Sequence, residues 1–256
     1  MSNKNNIYKS VTEVCHKRLL KDKDTIQYLF KRKINADYID KFQLGLFPQD
    51  LKKIFVEIDP RELRKSGIIK NASYSKFKLW NLVMPIRDVY GRYISMAGRA
   101  LKDNSFLKEK GLPKYMNLPY KKGQHLFGLS FAKKEILNSG KAYVVEGYFD
   151  VISAHQNGLK NVVATCGKFF SKRQMALLSR YANKIVLIFD NEPETQVAAS
   201  QIVEKNKTEH TSLLAKNPFP KDINDMDEFL VKHTPSKVIE VLNEASEYQN
   251  INPIWK

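Results

Sequence analysis

Between residues 141 and 232, short apolar runs of β-favouring residues alternate with segments whose apolar residues recur at helical spacing. The expected order is strand 142–146, helix 148–157, strand 161–165, helix 171–181, strand 184–189, helix 194–206, strand 211–215 and helix 225–232. Parallel neighbours need a crossover connection, and the intervening helices supply it. The alternation therefore restricts this half of the chain to a largely parallel sheet covered by helices. A last helix at 236–246 and a short tail at 248–256 complete the expected order.

The same stretch carries the chemistry. In KAYVVEGYFDVISA, at 141–154, the strand ends at Glu146 and Gly147 breaks it before the helix, which places Asp150 one turn further on. KIVLIFD ends in Asp190, followed by Asn191 and Glu192, and KDINDMDEFL adds Asp222, Asp225 and Asp227 after a third apolar run. Ligands of open α/β sheets bind outside the carboxyl ends of the strands. Carboxylates gathered at one such crevice repel one another unless cations neutralise them, so a magnesium-type site is expected.

Net charge is +16, and it is unevenly spread. Residues 1–134 hold twenty-nine Lys and Arg against twelve Asp and Glu, whereas 135–256 hold fourteen against fifteen. A basic half beside a near-neutral half with clustered carboxylates suggests a polyanion gripped by the first and worked on by metal in the second. The expected division is a basic subdomain at 1–134, a catalytic subdomain at 135–232 and a C-terminal helix and tail at 233–256. No apolar run is long enough to cross a bilayer and the start lacks the apolar core of a signal peptide, so the expected location is the cytoplasm. Cys15 and Cys166 are too few for a four-cysteine zinc site, and Cys166 is expected to be a buried structural thiol.

In the basic half a helix is expected at 11–20, and another at 25–33 with Asp24 as N-cap. A short helix opens at Asn35 and stops at Gly45, making a helical hairpin with Arg32 and Lys33 at its turn, followed by two short helices at 50–58 and 60–66. Residues 77–98 read as two strands joined by a turn at 88–91, with Pro85 marking an edge or an irregularity. After Arg99, residues 102–111 are expected to be a polar loop. PKYMNLPYKKGQHLFG then reads as an extended cationic segment whose Lys114, Asn117, Lys121 and Lys122 suit phosphates while Tyr115 stacks on a base. A helix at 127–137 leads into the second half.

VVEGYFDVI, IVLIFDNE and DMDEFL together resemble the Toprim domain of topoisomerases and primases. YLFKRKINADYIDKFQLGLFP, PIRDVYGRYISMAGR and PKYMNLPYKKGQHLFGL extend the likeness to the catalytic core of DnaG-type primases. This resemblance covers about Tyr28 to Leu230 and implies an α/β fold: an α+β basic subdomain followed by a Rossmann-like Toprim subdomain with a mainly parallel sheet. It implies synthesis of short RNA primers on a single-stranded DNA template from ribonucleoside triphosphates, with Mg2+ or Mn2+. By position, Glu146 becomes a general base or a metal-organising carboxylate, Asp190 and Glu192 hold metal, Asp225 and Asp227 complete the acidic cluster, and Asp150 supports it. Arg99, Lys114 and Lys122 fall on the family's basic residues and become contacts to template or nucleotide; Arg32, Tyr115, Asn117 and Lys168, read from their own surroundings in the sequence, are expected to join them.

This sequence departs from the family pattern at two points: Asp190-Asn191-Glu192 stands where the family has Asp-Gly-Asp, and Lys168 stands where a small hydroxyl residue is usual. The third acidic segment can be aligned as Asp222 with Asp225 or as Asp225 with Asp227. The zinc and helicase-binding domains of such primases have no counterpart in these residues, a compactness that resembles bacteriophage versions. The expected partners are therefore a replicative helicase or a separate zinc-domain protein. Two other functions fit the same residues: a non-catalytic homologue that binds single-stranded DNA or interferes with replication, and a Toprim nuclease.

Overall fold

A computed structural model describes residues 3–205, 211–215 and 217–247, and divides the chain into two compact units, Met1–Tyr120 and Lys121–Lys256. In the first unit α1 (Asn3–Leu19), α2 (Lys23–Lys31) and α3 (Ala36–Phe42) precede β1 (Gly45–Leu46), α4 (Lys52–Phe55) and α5 (Pro60–Lys65). Then come β2 (Leu82–Arg87), β3 (Tyr93–Arg99), α6 (Asn104–Glu109) and β4 (Tyr115–Asn117). The four strands form an antiparallel sheet in the order β1-β2-β3-β4. Its core is one apolar cluster in which Val11, Val14 and Cys15 of α1 meet Phe47, Ile54, Leu63, Phe77, Val83 and Met96.

Several local expectations change in this unit. α1 begins at Asn3 instead of residue 11. Asp22, not Asp24, caps α2 by accepting the Thr25 amide at 2.9 Å, which leaves Asp24 in the first turn. Helix α3 ends at Phe42, and its cap Gln43, two residues before Gly45, turns into the left-handed region with φ of 51°. Residues 102–111 are not all loop, since α6 occupies Asn104–Glu109 and buries only Leu107, too little apolar surface to show a period. Pro85 pairs with Met96 inside β2, but β1 reaches only Leu82 and Val83, so no strand on that side asks for the missing N–H.

In the second unit α7 (Leu129–Ser139), β5 (Lys141–Val145), α8 (Tyr148–Gln156), β6 (Val162–Ala164) and α9 (Lys172–Leu178) are followed by β7 (Lys184–Leu187) and α10 (Pro193–Lys205). β8 (Ser212–Ala215), α11 (Met226–Lys232) and α12 (Pro235–Glu247) complete it. All strands are parallel, in the order β6-β5-β7-β8. Val144, Val162, Val163, Ile185, Val186 and Leu187 are fully buried, as expected of strands covered on both faces. The division at 120/121 comes before the 134/135 boundary read from charge, because Phe127 already pairs with Ala164 (2.8 and 3.0 Å) and α7 packs on β5 and β6. Helix α12 packs on α11 and β7 within this same unit. Residue 206 and the tail at 248–256 lie outside the described residues. No helix among the described residues is long and apolar enough to cross a membrane.

Candidate active site

β5 and β7 are neighbours, with Val144 opposite Leu187, so the residues that follow them emerge at the same edge of the sheet. Glu146 comes one residue after β5. β7 is shorter than expected, but the Ile188 amide still donates to the Val144 carbonyl (2.8 Å), and Asp190 follows two residues later. The Glu146 Oε1 accepts the Asp190 backbone N–H at 3.1 Å, which couples the two strand ends directly.

Asp150 brings in the third segment. Its Oδ2 accepts the Gly147 amide at 2.9 Å and its Oδ1 accepts the Asp227 amide at 3.0 Å, joining the start of α8 to the start of α11. A side chain at residue 147 would prevent this, because a Cβ there would lie 2.4 Å from Asp150 Oδ2. Asp227 is buried and accepts a hydrogen bond from Ser153 Oγ, one turn beyond Asp150 on α8. Asp225 caps α11 by accepting the Glu228 amide at 2.8 Å. Asn224 Nδ2 donates to Asp190 Oδ2 at 3.3 Å, and its carbonyl accepts the Asn191 amide at 2.8 Å. Asp222 is exposed, and the acids beside Asp150 are Asp225 and Asp227.

Crowding shows in the proton affinities. Burial, then Glu146, Asp225 and Glu192, pushes the Asp190 carboxyl up to about 7. Burial followed by Asp225, Asp227 and Asp190 holds Asp150 well above the usual carboxylate range. Glu146 is raised chiefly by burial, opposed by the Asp190 amide and by Lys168 and Lys122. A set of buried oxygen donors that raise one another's proton affinity is the donor set a hard divalent cation satisfies. Among the described residues no three His, Cys, Asp or Glu side chains are already closed into a coordination shell.

Cations flank the carboxylates within this unit. Lys168 Nζ lies 2.7 Å from Glu192 Oε2. Lys122 Nζ donates to the Cys166 carbonyl, whose residue has a φ of 59° and a thiol that burial pushes up to about 12. Lys121, Lys122, Gln124, Ser171, Lys172 and Arg173 line a cleft of about 540 Å³, with Gln174 Nε2 holding the His125 carbonyl at 2.8 Å. In the first unit Arg99 is 6% exposed and donates to the Tyr28 hydroxyl at 2.8 Å and to the Tyr115 hydroxyl at 2.5 Å. The ring of Tyr115 thus faces a guanidinium, 5.1 Å from its centre. Lys114 is exposed, Arg32 is half-buried at the end of α2, and Asn117 pairs with Ala97 across β3 and β4.

Sequence reasoning missed Ser153, Asn224, Lys172 and Arg173. Spacing could have exposed only Ser153, three residues beyond Asp150 on the same helical face. Ser153→Ala removes the hydroxyl donor of a buried carboxylate, with an expected loss of about 1–3 kcal/mol of stability, measurable by urea denaturation of the metal-free protein.

Residues 15–133 match a family described as the N-terminal domain of the DNA primase catalytic core, and residues 143–230 match one described as Toprim-like. A DNA primase of Aquifex aeolicus is 33% identical over 199 residues, which is 73% of this chain and 39% of that protein. The chain therefore spans about two fifths of the length of this curated relative. The crystal structure of the zinc-binding and RNA polymerase domains of the Aquifex aeolicus primase aligns with a TM-score of 0.81 at 28% identity, over 94% of this chain and 60% of that one. A DnaG primase catalytic domain solved with bound single-stranded DNA aligns with a TM-score of 0.79 at 26% identity, over 95% and 78% of the two chains. Two adjoining family matches in the right order, fold agreement along nearly the whole chain and three acidic segments at one sheet edge lead to one conclusion: the chain belongs to the DnaG-type primases, as a catalytic core made of the N-terminal domain and a Toprim domain.

Proposed function

We propose that this chain makes short RNA primers on single-stranded DNA from ribonucleoside triphosphates, by nucleotidyl transfer that uses Mg2+ or Mn2+. The observation that carries this reading is the gathering of Glu146, Asp190, Asp150, Asp225 and Asp227 from three chain segments at one edge of a parallel sheet. Asp190 and Glu192 would hold the divalent ion, with Asp225 and Asp227 completing the acidic set. When bound, such an ion stabilises the triphosphate and lowers the proton affinity of the attacking hydroxyl. Glu146, whose carboxyl burial raises above its usual range, is the base that takes the hydroxyl proton. Both oxygens of Asp150 already accept backbone amides, so it positions its neighbours. Arg32, Arg99, Lys114, Tyr115, Asn117, Lys122 and Lys168 serve template and nucleotide, and the work is done in the cytoplasm. A replicative helicase or a separate zinc-domain protein is its proposed protein partner.

The test is incubation of purified protein with mixed-sequence single-stranded DNA, labelled ribonucleotides and either metal. Short RNA that disappears on chelation and in Glu146→Gln supports the reading. Metal-dependent nicking without nucleotides supports the nuclease, and DNA binding with no product under any template supports a non-catalytic homologue. Template binding should also be salt-sensitive, and Lys114→Ala should flatten the slope of log K against log salt by about 0.7, one single-strand phosphate contact, in fluorescence-anisotropy titrations.

A further inference from the structure

Lys168 follows Cys166 and Gly167 in the turn that leaves β6, and the base of this turn is fixed. Thr165 Oγ1 donates to the Val145 carbonyl at 3.3 Å and to the Gly167 carbonyl, Lys122 Nζ holds the Cys166 carbonyl, and Ser171 Oγ holds the Gly123 carbonyl. From this base Lys168 reaches Glu192, twenty-four residues away, at 2.7 Å. Glu192 heads α10, its carbonyl accepting the Thr195 and Gln196 amides at 3.0 Å, so both ends of the ion pair are anchored by backbone. Glu192 first, then Glu146 and Glu194, hold the Lys168 ammonium above its usual proton affinity. Lys168 is thus a positive charge set among the acids that face the site.

We propose that Lys168 is a tethered counter-cation of the acidic site: it neutralises Glu192 in the metal-free protein, must give up that carboxylate when a divalent ion enters, and so sets the metal concentration the site needs. This rests on the reading of Glu192 and Asp190 as metal ligands. The side chains of Lys168 and Glu192 are 51% and 53% exposed, so the pair is weak and exchanges readily with water. Release costs the incoming ion little through the broken pair. The larger effect is the unit of positive charge that the chain keeps tethered beside the carboxylates that would hold a dication, felt most at low salt. Once freed, the ammonium is a point charge of the kind that binds phosphate oxygens.

Calorimetric titration of Mn2+ into nucleotide-free protein tests this without any catalytic readout. Lys168→Met keeps the length of the side chain and removes its charge. It is expected to bind Mn2+ about three- to tenfold more tightly at 50 mM salt, and this gain shrinks at 500 mM. Lys168→Arg keeps the charge and should stay within about twofold of wild type. Unchanged or weaker binding by Lys168→Met, or an Arg variant that gains as much as the Met variant, overturns the inference. Wild-type Mn2+ uptake that Asp190→Asn weakens but Lys168→Met leaves unchanged removes this inference alone. An absence of uptake by every form overturns the metal site beneath it as well.

Discussion

Asp190→Asn is expected to reduce RNA synthesis by at least about a thousandfold and, at the same time, to make the metal-free protein melt higher than wild type at pH 8. The two effects have one origin. Burial and the surrounding carboxylates raise the folded-state pKa of Asp190 to about 7 from its ordinary 3.8. A carboxyl whose folded pKa is raised contributes stability that is fully present below its unfolded pKa and is lost as pH rises through the folded one. Wild-type protein should therefore lose stability between about pH 4 and pH 7, in the same direction that Glu146 and Asp150 push. Asparagine has no proton to lose, and its carbonyl can still accept the Asn224 amide that now reaches Asp190 at 3.3 Å. The advantage of the variant should be largest at pH 8 and nearly gone at pH 5. Mn2+ should then raise the melting point of wild type at pH 8 and do much less for the variant. Scanning calorimetry at the two pH values, with chelator and with Mn2+, makes the comparison. A variant that melts lower than wild type at pH 8, or that still makes primers at the wild-type rate, contradicts this account.

Gly98→Ala should have the largest effect on stability in the first unit, with an expected loss of about 3 kcal/mol or more. Gly98 lies in β3 between Val83 of β2 and Met116 of β4, and its conformation does not demand glycine. Space does. A Cβ there would lie 2.2 Å from the Trp80 carbonyl oxygen, 2.8 Å from Phe77 Cδ1 and 2.9 Å from Trp80 Cβ. The nearest obstruction is the Trp80 backbone carbonyl, and that segment is held from several directions. The Trp80 indole donates to the Pro113 carbonyl at 2.8 Å, the Asn81 carbonyl accepts the Phe47 amide at 2.8 Å, and the fully buried Phe77 packs on Phe47 at 5.3 Å between ring centres. Either the sheet opens at β3 or the turn at 77–80 lifts out of the core. Equilibrium denaturation measures the cost, and a loss below about 1 kcal/mol would mean that the turn yields freely.

The second unit was legible in the sequence nearly element by element, because its strands are continuous apolar runs and each following helix opens with a break such as Gly147 or a cap such as Ser171 or Asp225. The carboxylates were legible for the same reason: an acid at the end of a buried strand has nowhere to point except the crevice. Uncharged partners were not. Asn224 and Ser153 hold Asp190 and Asp227 across 34 and 74 residues, and nothing in a local pattern distinguishes them from solvated polar residues. The Lys168 and Glu192 pair was hidden likewise, although each residue stood out alone as a departure from the family pattern. In the first unit, α6 has one buried side chain and no period, and Asp22 and Asp24 are equivalent as caps until the fold selects one. The contact of the Tyr115 hydroxyl and ring with Arg99 was hidden as well, because no local pattern joins residues sixteen apart.

Asp150 has a consequence for the order in which the acidic edge comes into being. One carboxylate closes its own helix onto Gly147 and, 77 residues later in the chain, captures the amide of Asp227. A nascent chain that has exposed Glu146 and Asp190 to solvent therefore has two acidic strand ends but no finished edge. The third arrives only when α11 docks on α8. Assembly of the acidic edge thus waits for α11, and a chain that stops short of α11 would carry most of the motif letters without the arrangement they spell.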